Sequence, residues 1–266
     1  MIRFITTILL AAAMLAAVWY LPTEGFRFLI LFITGLGLWE YGKLVFTHQP
    51  TRVFLLLIGL AVAGCLTWWG MISTLFILLV SIFFSFLWVM WFKDPLEGAI
   101  HRVGLIVLGI CYLGLTLPFW SIMREYGREW VMLIIFPACL TDTFGFLVGK
   151  AIGRRKLAPI VSPNKTWEGV AGSLVGATFG LWLAHTLFFS SNDHLYYFYL
   201  IFGPAIAVIA IFGDLIESLI KRSVHVKDSS HLIPGHGGAL DRLDALIFTA
   251  PCFVLYLMFS SGWVHR

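Results

Sequence analysis

Apolar residues run through this chain in stretches too long for a soluble fold, separated by short polar joints. A membrane span needs roughly 20 apolar residues to cross about 30 Å of hydrocarbon. The pattern predicts nine, at about 4 to 21, 26 to 46, 53 to 70, 71 to 91, 103 to 120, 130 to 149, 169 to 190, 195 to 213 and 245 to 262. The joint at Gly70 is the thinnest, because two spans almost touch there. Arg3 stands before the first stretch as it would in a signal peptide. That stretch is longer than a usual h-region and another span follows within a few residues, so an uncleaved first span is expected. The predicted fold is an all-α, polytopic membrane helical bundle.

Composition and charge add an orientation. Of 266 residues, 60% are hydrophobic and only 12% charged, against about a quarter charged in soluble domains. Basic residues near span ends are retained on the cytoplasmic side. With the N-terminus cytoplasmic, Arg27, Arg124, Arg128 and Arg266 lie outside and the other 14 of 18 Lys and Arg lie inside. A net charge of +4 gathered on one face also suits an anionic leaflet. Cys65, Cys111, Cys139 and Cys252 fall in apolar segments without CxxC spacing and read as buried small residues, neither disulfides nor a zinc site.

Polar chemistry is unevenly distributed. Residues 1 to 128 are nearly featureless spans and read as scaffold. Residues 129 to 266 carry two long cytoplasmic segments, 150 to 168 and 214 to 244, and read as the catalytic part. Glu40 is the odd residue of the first part, and an i,i+3 ion pair with Lys43 is the expected reason for it.

In the second part Asp142 sits deep in an apolar stretch, where a carboxylate costs about 2.5 to 3.5 kcal/mol on insertion scales and normally faces a polar cavity. A hydrogen bond from Thr141 or Thr143 is the plainer explanation. The loop that follows carries Arg154, Arg155 and Lys156, and then Ser162, Pro163, Asn164, Lys165 and Thr166. Its ending looks like the GKT of a P-loop, but the glycines are missing and no strand is expected before it. A basic, hydroxyl-bearing segment able to meet phosphate oxygens remains.

The eighth span continues into a helix on which Asp214, Glu217, Ser218 and Lys221 share one face. Glu217 reads as a solvated helix end. Beyond Lys227 and Asp228, Gly235, Gly237 and Gly238 form a flexible turn that lets backbone approach a ligand. The amides of the helix start that follows could receive phosphate. Asp241 and Asp244 flank Arg242, and carboxylates beside a polyphosphate point to Mg2+. His225, His231 and His236 have no zinc spacing and read as hydrogen-bonding residues.

These residues resemble the signature of the phosphatidate cytidylyltransferases, or CDP-diacylglycerol synthases. The signature falls on Ser218, Ile220, Lys221, Arg222, Lys227, Asp228, Pro234, His236, Gly237, Gly238, Asp241, Arg242, Leu243 and Asp244. The likeness extends to SPNKTWEG, to Asp142 and weakly to Trp39 and Glu40. Ala239 departs from it where a larger aliphatic is usual, and Asn164 where many relatives have Gly.

The resemblance implies a multispan fold, usually dimeric, with a cytoplasm-facing cavity in the cell (inner) membrane. It implies transfer of CMP from CTP to phosphatidic acid, giving CDP-diacylglycerol and pyrophosphate. It implies Mg2+ and allows a potassium ion beside it. The metal would rest on Asp214 and Asp241, with Asp244 as a third candidate. Lys221, Arg222, Lys227 and Arg242 would hold phosphates, and Lys165 and Thr166 would orient nucleotide or headgroup. Asp142, Ser162, Ser218, Asp228, His236, Gly237 and Gly238 complete the expected substrate-binding set. The bilayer is the remaining partner, and no nucleic acid is implied. A CTP-dependent lipid kinase of the polyprenol or phytol type is the competing enzyme. A secondary transporter is disfavoured, because paired repeats with broken spans are absent.

Overall fold

The computed structural model describes residues 12–91, 96–189, 196–230 and 237–260. His231, Pro234, Gly235 and His236, named above, lie outside these residues, as do residues 4–11 of the first expected span. Residues 12–20 form α1, followed by α2 (Thr23–Val45), α3 (Gln49–Trp91) and α4 (Ala99–Gly109), which passes through a π-helical turn at Ile110–Gly114. Then come α5 (Phe119–Tyr126), α6 (Arg128–Ile152), a hairpin of β1 (Lys156–Ala158) and β2 (Ser162–Thr166), α7 (Trp167–Phe188), α8 (Tyr196–Ser223), α9 (Leu240–Leu243) and α10 (Thr249–Ser260). Among the described residues, six helices are long and apolar enough to cross a membrane, and Thr249–Met258 forms a shorter apolar helix. The chain is thus an all-α polytopic integral membrane protein, with a small antiparallel hairpin added where the sequence indicated only a loop.

The fold divides into two compact units, Met1–Ile122 with Asp228–Leu240, and Met123–Lys227 with Asp241–Arg266. In the first unit, α3 has 43 residues, about 65 Å at 1.5 Å per residue and twice the hydrocarbon thickness. It is not one helix. Gly70 takes φ 80° and ψ −175°, a conformation glycine reaches without Cβ strain. The two expected spans meet at this residue. The unit packs through close backbone approach: a Cβ on Gly59 would stand 2.6 Å from Leu38 Cδ1, and one on Gly109 2.6 Å from Tyr41 Cε1. Tyr41, fully buried, donates its hydroxyl proton to the carbonyl of Leu105 at 2.9 Å.

The second unit is built on a tight α6–α7 pair. Small residues let membrane helices approach until backbones touch. Here a Cβ on Gly176 would meet the Leu140 carbonyl at 2.5 Å, and one on Gly180 would meet Pro137 Cα at 2.7 Å. The hairpin joins the two helices, with Lys156 opposite Thr166 and Ala158 opposite Ser162. Glu168, in the first turn of α7, fixes its base by accepting from the amides of Arg154 at 3.0 Å and Arg155 at 3.2 Å. Thr166 caps α7, its hydroxyl accepting from the amide of Gly169 at 3.1 Å, as an N-cap residue does.

Candidate active site

Helices α6, α7 and α8 and the hairpin wall one cavity of about 520 Å³, and Asp142, Ser162, Asn164, Lys165, Thr166 and Asp214 all line it. That size falls in the range of small-molecule sites. Asp142 is not explained by its threonine neighbours. Thr141 and Thr143 donate back to the carbonyls of Pro137 and Cys139, at 2.7 and 2.9 Å, which uses the single proton of each hydroxyl. The cap at Thr166 leaves the preceding residue, Lys165, facing α8. Its Nζ stands 2.6 Å from Asp214 Oδ2 and donates to the Ile211 carbonyl at 3.3 Å.

Helix α8 runs unbroken to Ser223, so the polar face read from the sequence exists. Ser218 donates to Asp214 Oδ1 at 3.3 Å. Lys221 Nζ lies 2.5 Å from Glu217 Oε2 and 2.7 Å from Asp241 Oδ1. Among the described residues, Asp214, Glu217 and Asp244 form an acidic trio whose ligand oxygens all lie within 4.8 Å of one another. Asp241 stands outside this trio, at the lysine.

Glu217 corrects the expectation of a solvated helix end: it is fully buried. The cause is the segment carrying Asp244, which lies directly on α8. A Cβ on Gly213 would collide with the Asp244 carbonyl. Glu217 Oε1 has no hydrogen-bond partner among the described residues. An unpartnered buried oxygen between two further carboxylates fits a hard cation, which takes oxygen ligands. Burial, and after it the charges of Asp214 and Asp142, push the Asp244 carboxyl up to about 7, against the pull of the Ala245 amide and Lys221.

Arg222 also has structural partners. Arg222 donates from Nε to the Val161 carbonyl at 3.4 Å and from Nη1 to the Val226 carbonyl at 3.1 Å, bracing the hairpin tip and the end of α8. Lys227, Asp228, Arg242 and His225 are exposed.

In the first unit, Gly237 holds φ 81° and Gly238 is buried, but its neighbourhood is not open to a ligand. A Cβ on Gly238 would meet Glu40 Oε2 at 2.5 Å and Oε1 at 2.8 Å. The expected phosphate-receiving amides are also taken: Ala239 N and Leu240 N donate to Glu40 at 3.1 and 2.8 Å. The helix they open, α9, is a single turn. Lys43 does not pair with Glu40; its Nζ lies over the Trp39 ring, 5.3 Å from the centroid. The sequence reading thus missed Glu217 and Glu40. The first carried a signal in its i,i+3 and i,i+4 spacing from Asp214 and to Lys221, the second only in being a carboxylate in an apolar span.

Comparison with known proteins adds a family. The model of the cytidylyltransferase family matches residues 1–260. The chain is 30% identical over 290 residues to a phosphatidate cytidylyltransferase of Haemophilus influenzae, covering 97% of this chain and 98% of that protein. It is 32% identical over 284 residues to one of Pseudomonas aeruginosa, covering 98% and 97%. To one of Bacillus subtilis it is 39% identical over 162 residues, 59% of this chain and 58% of that protein.

Proposed function

We propose that this chain, which belongs to the cytidylyltransferase family, transfers CMP from CTP to phosphatidic acid and releases CDP-diacylglycerol and pyrophosphate. The observation that carries the reading is the position of Asp214. It faces Lys165 in a cavity lined by Asp142, Ser162 and Thr166, and it also belongs to the acidic trio with Glu217 and Asp244. A site that joins bases, hydroxyls and clustered carboxylates suits the meeting of two phosphates.

The chemistry follows from charge. A phosphatidate oxygen is already an anion, so it needs no strong base. It attacks the α-phosphorus of CTP; a P–O bond forms there, and the bond from that phosphorus to the β-bridging oxygen breaks as pyrophosphate leaves. The obstacle is repulsion between anions, and positioned cationic groups reduce it most where charge develops. We assign Lys165 and Thr166 to orienting nucleotide or headgroup, and Lys221, Arg222, Lys227 and Arg242 to phosphates. Asp214, Glu217 and Asp244 are the residues that would hold a divalent cation, Mg2+ in this proposal, with Asp241 at Lys221 as a further ligand. Such an ion offsets charge on phosphoryl oxygens when bound.

The topology belongs to the same proposal. It has nine spans with the N-terminus cytoplasmic, in the cell (inner) membrane, and the site faces the cytoplasm, where CTP is found. Residues 1 to 128 serve as scaffold, residues 129 to 266 carry the chemistry, and the enzyme works as a homodimer. The one-sided distribution of Lys and Arg supports the orientation.

The test is to incubate purified protein with CTP, phosphatidic acid and Mg2+ and to follow both products. CDP-diacylglycerol and pyrophosphate are expected in equal amounts. A folded sample that makes neither would sink the reading, and release of CDP would replace it with a lipid kinase.

A further inference from the structure

Glu40 lies in α2, is 3% exposed, and meets four neutral donors. Oε2 accepts from Ser229 Oγ at 3.2 Å and Leu240 N at 2.8 Å; Oε1 accepts from Ser230 Oγ at 2.5 Å and Ala239 N at 3.1 Å. A buried carboxylate usually needs a cation. Here two donors on each oxygen take that role. The donors come in two adjacent pairs, 229–230 and 239–240, so one side chain clamps both ends of the segment between them. Leu240 is also the residue immediately before Asp241, whose carboxylate meets Lys221.

We infer that Glu40 is a positioning residue for the cytidylyl transfer: its carboxylate fixes the backbone at Ala239 and Leu240 and, through the next peptide bond, the placement of Asp241. This inference rests on the reaction proposed above. The neighbourhood is built for a carboxylate and for nothing close to it. A glutamine has one accepting oxygen and one NH2. Either orientation of its amide sets the NH2 against a backbone N–H, that of Leu240 or that of Ala239, and neither can reverse its role. The serine hydroxyls can rotate; the two amides cannot. Gly238 serves the same arrangement, since any side chain there would strike Glu40 and Ser229.

The experiment compares purified wild-type and Glu40→Gln protein by hydrogen exchange at the amides of Ala239 and Leu240, by kcat and KM for CTP, and by the Mg2+ concentration that gives half-maximal activity. Faster exchange at both amides is expected, with kcat per folded molecule about 10- to 100-fold lower, a higher Mg2+ requirement and little change in KM. Glu40→Asp, which keeps both oxygens, should recover part of the loss. A merely structural residue would lower the yield of folded enzyme and leave kcat and the Mg2+ requirement alone, and that result would overturn the inference. Unchanged amide exchange would do so too. If Glu40→Gln does not fold, Ser230→Ala and Gly238→Ala disturb the clamp from its other side. A drop in kcat and faster exchange in both uphold the inference; wild-type values in both end it. A wild-type protein that makes no CDP-diacylglycerol sinks the proposed reaction alone. The exchange measurement then decides on Glu40: amides protected in wild type and released in Glu40→Gln uphold the clamp, and unprotected amides in wild type end it.

Discussion

Glu40 and Glu217 are both carboxylates removed from water, 3% and 0% exposed, and the two regions that hold them solve the burial problem in opposite ways. Around Glu40 each oxygen has two hydrogen-bond donors, two of them backbone amides. Around Glu217 one oxygen meets Lys221, the other has no partner among the described residues, and two more acids stand within ligand distance. A fully satisfied polar cluster rigidifies, whereas a half-satisfied one is costly unless something else completes it. The first is therefore a closed anchor. The second is half-satisfied, an acidic cluster that could bind a cation, as the proposed reaction between two phosphates would use.

Removing the cation that the second region depends on should have the largest effect. Lys221→Met leaves Glu217 and Asp241 facing each other's surroundings without their shared ammonium. Breaking a buried pair from one side costs about 3 to 5 kcal/mol. Thermal unfolding in detergent should register it as a large fall in midpoint. A variant as stable as wild type would mean that Lys221 is not what balances these acids.

The sharpest form of the comparison is the same substitution at both glutamates. Glu217→Gln should lower turnover about 10²- to 10³-fold, the size expected when one group acting on developing charge is removed. It should leave the metal-free protein as stable as before or more so, because a poorly satisfied buried charge has gone. Glu40→Gln should destabilise by about 1 to 3 kcal/mol, the cost of stranding a buried donor. Opposite signs in unfolding experiments support the contrast between anchor and incomplete site. Equal signs would erase it.

Asp244 extends the contrast to pH. Its carboxyl is pushed up to about 7, against about 3.9 for an aspartate in an unfolded chain. Between these values the native state holds a proton that the unfolded state has lost. Stability of the metal-free protein should therefore fall as pH rises through that window and level off above about 7. A divalent cation held there, as proposed, would replace the proton, so Mg2+ should bind more tightly as pH rises across the same range. Following the unfolding midpoint against pH with and without Mg2+ checks both, and Asp244→Asn should flatten the metal-free profile. A stability that rises with pH in the metal-free protein would have the wrong sign for this account.

What the sequence revealed divides along similar lines. Gly70 was legible as a break because a 43-residue apolar run exceeds one bilayer crossing and a glycine stands in its middle. Asp142, Lys165, Thr166 and Asp214 were legible because polar residues in apolar surroundings need a reason, and the cavity brings these four together. Glu217 was misjudged because its burial depends on a segment more than twenty residues later folding onto α8. Glu40 was misjudged for the same reason at greater range: its four donors lie 189 to 200 residues away, and the nearest positive charge, Lys43, was the only local explanation. The hairpin escaped because Pro159 and Asn164 read as loop residues, while its strands are only three and five residues long.

Lys43 provides the smallest expected effect and a direct check on the anchor. If the local explanation held, Lys43→Gln would strand a buried carboxylate and behave like Lys221→Met. In the structure, however, the Lys43 ammonium lies over the Trp39 ring and Glu40 draws its donors from Ser229, Ser230, Ala239 and Leu240. Among the described residues the loss is a cation–π contact, worth about 0.5 to 1 kcal/mol at an exposed site. Lys43→Gln should thus shift the unfolding midpoint slightly, leave kcat unchanged and keep the amides of Ala239 and Leu240 protected from exchange. Loss of that protection would return Glu40 to a local ion pair and make the two buried glutamates alike: both would then be acids held by a single lysine on their own helix.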